Sequence, residues 1–198
     1  MTKNEIKQIE LSQKIALTTI EAIHEIGYNN VTMEAIAKNN GITKRTLYKY
    51  FPVKEAILAK FIQMRFAEKE DDRMKAIQSM DSFENQITAY TTDLMLGVMA
   101  EPIIFYHYLK YIMQLMVDHK EDITPPSGVG GPMTYIYQFG MDHGRIDPAL
   151  PLGFVMDFFL FNFISITKVY YEKPKAFQMK NTIDFYMQVF FAGISPKT

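Results

Sequence analysis

The sequence predicts an all-α protein, and three observations carry that reading. Apolar residues recur at threes and fours along the chain, and no run alternates as a half-buried strand would. Two short helical segments flank Gly41, each preceded by a threonine able to cap it. The 198 residues are 48% apolar, enough to pack helices around a core, and contain no cysteine. The missing cysteines exclude disulfides, thiolate nucleophiles and Cys-bound zinc, and fit a reducing cytoplasm.

The elements follow in order. Ile15, Thr19, Ile23 and Ile26 share one face of a first helix, which Gly27 ends. Thr32 caps a second helix that buries Met33, Ile36 and Ala37, and Asn39-Asn40-Gly41 breaks it. Thr43 caps a third helix over 44–50, before Pro52 turns the chain into a long fourth helix over 54–73. Further helices are expected at about 82–99, 102–119, 132–143, 151–172 and 176–193, and the Pro- and Gly-rich stretch 120–131 is expected to be a loop.

The second and third helices have helix-turn-helix spacing. Gly41 supplies the left-handed turn, Ala37 allows close approach, and Ile36, Ile42 and Leu47 supply the apolar contacts. An ordinary helical hairpin explains those residues equally well. It does not explain the donors on the third helix, Lys44, Arg45, Thr46, Tyr48 and Lys49, which suit phosphates and base edges. Net charge is −1, but residues 1–60 hold nine basic against six acidic residues. The stretch 38–54 holds five basic residues and no acidic one.

From about Ile15 to Leu58 the sequence resembles the TetR family of bacterial regulators. The matching string runs through Gly27-Tyr28, Val31-Thr32, Ile36-Ala37 and Gly41-Ile42-Thr43, then Leu47-Tyr48-Lys49-Tyr50-Phe51-Pro52 and Lys54-Glu55. The resemblance implies a DNA-binding domain over 1–52 and a helical ligand-binding and dimerisation domain over 53–198. It implies a DNA-facing set of Thr32, Thr43, Lys44, Arg45, Thr46, Tyr48, Lys49, Tyr50 and Lys54, with Tyr50 and Lys54 near the DNA backbone. Arg45 stands where the family favours a small residue, so it either reads a guanine or binds a phosphate. Val53 replaces the usual capping residue, which predicts a weakly capped fourth helix.

The family pattern fades beyond that helix. Segment 151–172 is apolar nearly all round, though Asp157, Asn162 and Lys168 argue against a membrane span. With 176–193 it is expected to form a homodimer interface through Phe154, Phe158, Phe161, Tyr186 and Phe190, as the family's last two helices usually do. Methionine and aromatic residues crowd 95–163. Taken singly they read as core; together they suit a pocket for a flat or greasy molecule. Its expected lining is Met95, Met99, Phe105, Tyr108, Tyr111, Met116, Tyr135, Phe139, Phe159 and Phe163.

Nothing points to catalysis, a cofactor or a metal. The four histidines form no ligand motif, 128–131 lacks a phosphate-loop ending, and Asp142 and Asp147 flank Gly144 as turn residues. The expectation is a cytoplasmic homodimeric regulator, in the family's commonest mode a repressor, released from a palindromic operator by an apolar or aromatic effector. The alternatives are a DNA-binding dimer without a ligand, and a small helical enzyme or carrier.

Overall fold

The computed structural model describes residues 2–118 and 130–196. These form ten α-helices, α1 (Lys3–Ile26), α2 (Met33–Asn39), α3 (Lys44–Tyr50), α4 (Lys54–Ala67), α5 (Glu70–Gln78), α6 (Phe83–Ala100), α7 (Pro102–Val117), α8 (Gly130–Asp142), α9 (Leu152–Glu172) and α10 (Met179–Ile194). Short 3₁₀ turns lie at Tyr28–Asn30 and Pro174–Ala176. The chain divides into two compact units: Met1–Glu68 with Glu101–Ser127, and Lys69–Ala100 with Gly128–Thr198.

In the first unit α1 begins with a capping box. The Thr2 hydroxyl accepts from the Glu5 amide while the Glu5 carboxylate accepts from the Thr2 amide, so two end donors are satisfied. Ile15, Ala16, Thr19, Ile20 and Ile23 are buried, chiefly against α4, whose own buried face is Ile57, Leu58, Phe61, Ile62 and Phe66. Ile26, expected on the same face of α1, is instead 53% exposed. α4 also packs on α7, where Phe66 meets Phe105 edge-on at 6.4 Å.

In the second unit α6 is central, packed by α5, α8, α9 and α10. Phe158, Phe159 and Phe190 join α9 to α10, with Phe158 stacked on Phe190 at 5.4 Å and Phe159 edge-on to it at 5.9 Å. The helices approach closely at Gly193, where an added Cβ would fall 2.6 Å from the Phe158 ring. The nearly buried Arg73 guanidinium donates to Asp93 at 2.6 Å, an ion pair joining α5 to α6.

Several boundaries differ from the expectation. The single helix over 54–73 is two helices, because α4 stops at Ala67 and α5 restarts at Glu70 after Lys69 adopts a non-helical backbone. The last helix starts at Met179 rather than 176, since Pro174–Ala176 forms a 3₁₀ turn. Gly130 and Gly131, assigned to a loop, open α8; the rest of that loop, 120–129, lies outside the described residues. The turn after α8 is the Schellman motif with Gly144 at φ 63°, and Asp147 accepts from the Ala149 amide, the turn role expected of it.

By length and composition α9 could cross a membrane, with a mean hydropathy of 1.6 over its most apolar stretch. Its sides are unlike, however. Val155, Phe159, Phe163, Ile166 and Tyr170 are buried in the unit, whereas Phe154 and Phe161 are about half exposed.

Candidate functional site

The helix-turn-helix is built by caps and one glycine. The hydroxyl of Thr32 accepts from the Ala35 amide, and that of Thr43 from the Thr46 amide, so each threonine starts its helix. Gly41, at φ 66°, follows α2; its amide donates to Lys38 and the Ile42 amide to Ala37, the paired bonds of a Schellman turn. A residue with a Cβ would pay about 1 kcal/mol for that left-handed backbone. Asn40 anchors the turn to α1. Its amide donates to the Thr18 hydroxyl and the Ile36 carbonyl, each at 3.0 Å, and is buried.

Leu47, fully buried, and Phe51 pin α3 inward. Thr43, Lys44, Arg45, Tyr48 and Lys49 are consequently exposed on its outer face, with Thr46 and Tyr50 half-buried at its sides. Lys44 pairs with Glu34 of α2 at 2.5 Å, and that contact holds the Glu34 carboxyl below its ordinary range. Among the described residues Arg45 and Lys49 make no ion pair, and both side chains are exposed to an outside anion.

Lys54 opens α4, as expected, and makes contacts within the unit. Its ammonium turns inward, donating to the carbonyls of Tyr28 at 2.6 Å and Val31 at 2.7 Å, and stands 3.7 Å from the Tyr28 ring centroid. Burial lowers its pKa, while Glu55 opposes the shift. Lys54 thus ties the start of α4 to the segment entering α2. Tyr28 completes the tie by donating its hydroxyl to Glu55, and burial followed by this bond raises the phenol pKa. Val53 makes no side-chain capping bond, in keeping with its side-chain chemistry.

The expected pocket residues fall in both units and divide by burial. In the first unit Phe105 and Tyr108 are buried while Tyr111 and Met116 are half-buried; burial raises the Tyr108 pKa. In the second, Met95, Phe159 and Phe163 are buried, Tyr135 and Phe139 half-buried, and Met99 is 40% exposed. An open groove of about 500 Å³ runs along the polar side of α6, between Met80, Asn85, Thr88, Thr92, Asp93 and Leu96, and none of the ten lines it.

Of the five expected interface residues, Phe154 and Phe161 are exposed and Phe158 and Tyr186 half-buried. Phe190 needs correction. It is fully buried between Phe158 and Phe159 and presents nothing outward; the large apolar side chains exposed on α10 are Phe185 and Val189. His24 pairs with Glu101 at 2.8 Å and His143 stacks on Phe139, and no group of side chains able to hold a metal occurs among the described residues.

A short outward helix bearing Arg45 and Lys49, closed by a glycine turn on a second helix that packs against α1, has the arrangement of a DNA-binding helix-turn-helix. Residues 15–61 match the family model of bacterial regulatory proteins of the tetR family. Members of that family are transcriptional regulators rather than enzymes, working with operator DNA and small-molecule effectors.

Solved structures of similar fold span nearly the whole chain. A TetR family transcription regulator from Shewanella sp. PV-4 is 18% identical, with a TM-score of 0.68 over 94% of this chain and 99% of its own. Thermus thermophilus FadR, a repressor in complex with lauroyl-CoA, is 14% identical, with a TM-score of 0.68 over 96% of each chain. RolR in complex with resorcinol is 13% identical, with a TM-score of 0.61 over 96% of this chain and 91% of its own. No curated protein matches the chain in sequence.

Proposed function

We propose that the chain is a cytoplasmic homodimeric repressor, released from a near-palindromic operator by a small apolar or aromatic effector. The observation carrying the DNA contact is the outer face of α3. It offers Thr43, Arg45, Tyr48 and Lys49 to solvent, and Arg45 and Lys49 make no ion pair among the described residues. A two-fold dimer sets two such helices about 34–36 Å apart, one turn of the duplex. Phe154 and Phe161 on α9 and Phe185 and Val189 on α10 supply apolar surface for that dimer.

The effector class rests on the density of Met, Phe and Tyr between 95 and 163 and on the lauroyl-CoA and resorcinol found with FadR and RolR. Such a molecule releases DNA only through its differential affinity for two states of the dimer. A coupling of about 1–3 kcal/mol weakens operator binding roughly 5- to 150-fold.

One observation favours a second reading, a dimer without an effector. Met95, Phe105, Tyr108, Phe159 and Phe163 are spent on packing within their own units. The experiment is to select duplexes from a random pool with the purified chain, then titrate acyl-CoA, fatty acid and simple phenol panels into the complex. Release by one of them supports the proposal. A stable complex indifferent to all supports the second reading, and failure to select any duplex defeats both.

A further inference from the structure

The imidazole of His107 on α7 lies flat on the phenol of Tyr28, with ring centroids 3.4 Å apart and planes at 15°. Tyr28 opens the 3₁₀ turn leading into α2, and its carbonyl and ring hold Lys54 at the start of α4. The stack therefore reaches from α7 to both segments that flank the helix-turn-helix. Resting on the DNA-binding reading above, we propose that His107 is a positioning residue for operator binding: its neutral ring, stacked on Tyr28, holds the helix-turn-helix in register, and protonation loosens the hold.

The surrounding groups give the sign. Tyr28 faces the ring from the 3₁₀ turn, Lys54 and Glu55 act on it from α4, and Tyr106 meets it edge-on at 5.2 Å from α7 itself, where Lys110 follows. Tyr111, one turn on, also feels Glu55. An imidazolium would join two ammonium groups, Lys54 and Lys110, with Glu55 as the opposing carboxylate. Burial first, then Lys110, hold the His107 pKa below its ordinary value, against the pull of Glu55. A histidine with a lowered pKa in the assembled state binds fewer protons there than when released. The contribution is present above the ordinary range near pH 6.5 and is lost as pH falls below it.

The test uses the full chain, with the duplex it selects from a random pool, at about pH 7.5 and about pH 5.5. His107→Ala is expected to weaken binding about 2- to 10-fold at the higher pH. His107→Phe, which keeps the stack and cannot be protonated, restores that affinity and loses the extra fall on acidification seen in the unaltered chain. A purely structural role would not make the pH profile depend on the Phe variant. Equal affinities for the unaltered chain and His107→Ala at both pH values would overturn the proposal while leaving DNA binding intact.

If no duplex is selected, the DNA-binding reading fails and the operator role with it. Proton NMR of the free chain then judges the stack alone. The His107 C2 proton, assigned by its loss in His107→Ala, should lie upfield, move back in Tyr28→Leu and titrate below the ordinary range. An unshifted proton titrating in the ordinary range overturns the stack.

Discussion

Glu34 and Lys44 meet at 2.5 Å across the turn of the helix-turn-helix, tying a carboxylate of α2 to the first residue of the outward helix. Both side chains are more than half exposed, so the pair adds little to folding. Its consequence concerns DNA, since a negative charge sits beside a lysine proposed to face phosphates. Glu34→Gln is expected to leave the melting temperature unchanged and to strengthen binding to all duplexes alike. The salt dependence should steepen by about one ion per subunit. Weaker binding by the variant would show instead that Glu34 positions Lys44 for its contact.

Arg45 separates two modes of contact. If it pairs with a guanine, Arg45→Ala should cost roughly 1–3 kcal/mol and relax preference at one symmetric position of the selected site. If it binds phosphate, affinity falls on every sequence alike and the salt slope flattens. Binding assays on the selected duplex and its single-base variants decide between them, and unchanged affinity in both Arg45→Ala and Lys44→Ala removes the outer face of α3 from the interface.

For the dimer, Phe161→Asp or Phe185→Asp should give a folded monomer that no longer holds the operator, because both rings are exposed on the single chain. Phe190→Asp should behave differently and fail to fold, since it places a carboxylate in the aromatic cluster with Phe158 and Phe159. Sedimentation and circular dichroism distinguish these outcomes. A monomeric unaltered chain at micromolar concentration contradicts the proposed dimer.

Val53 has the extended backbone of a capping position, φ −142° and ψ 161°, but lacks a side-chain acceptor. Val53→Ser supplies one, and is expected to stabilise the chain by about 0.5–1 kcal/mol, read as a raised melting temperature. A lowered melting temperature would mean that the half-exposed valine contributes more through apolar contact than a cap returns.

The helix-turn-helix was legible because its signals are local. Thr32, Gly41 and Thr43 act on backbone within a few residues, and α3 spans 44–50 as read. The capping box of Thr2 and Glu5 has an equally local signature, but the residues that follow it up to Glu10 are exposed and show no buried face to mark a helix start. The break after Ala67 was not legible: Glu68-Lys69-Glu70 contains neither glycine nor proline, and nothing in its propensities interrupts a helix. Nor was the inward turn of Lys54, since its partners are backbone carbonyls 23 and 26 residues away, which carry no residue-type signal. The burial of Phe190 within its own unit was not legible for a related reason. Periodicity places it on an apolar side of its helix but does not say whether the facing aromatic belongs to the same chain.

The compact division at Glu68 and Glu101 bears on how such regulators can be recombined. A chimera joined after residue 52 would keep α1 but replace Ile57, Leu58, Phe61 and Ile62, the buried side of the helix on which it chiefly rests. A transplant of 1–68 alone would still leave Tyr28 facing a foreign residue in place of His107. A new operator preference grafted onto this scaffold is therefore best introduced at single exposed positions of α3, because the cohesive piece that carries them is discontinuous in sequence and has no single clean cut.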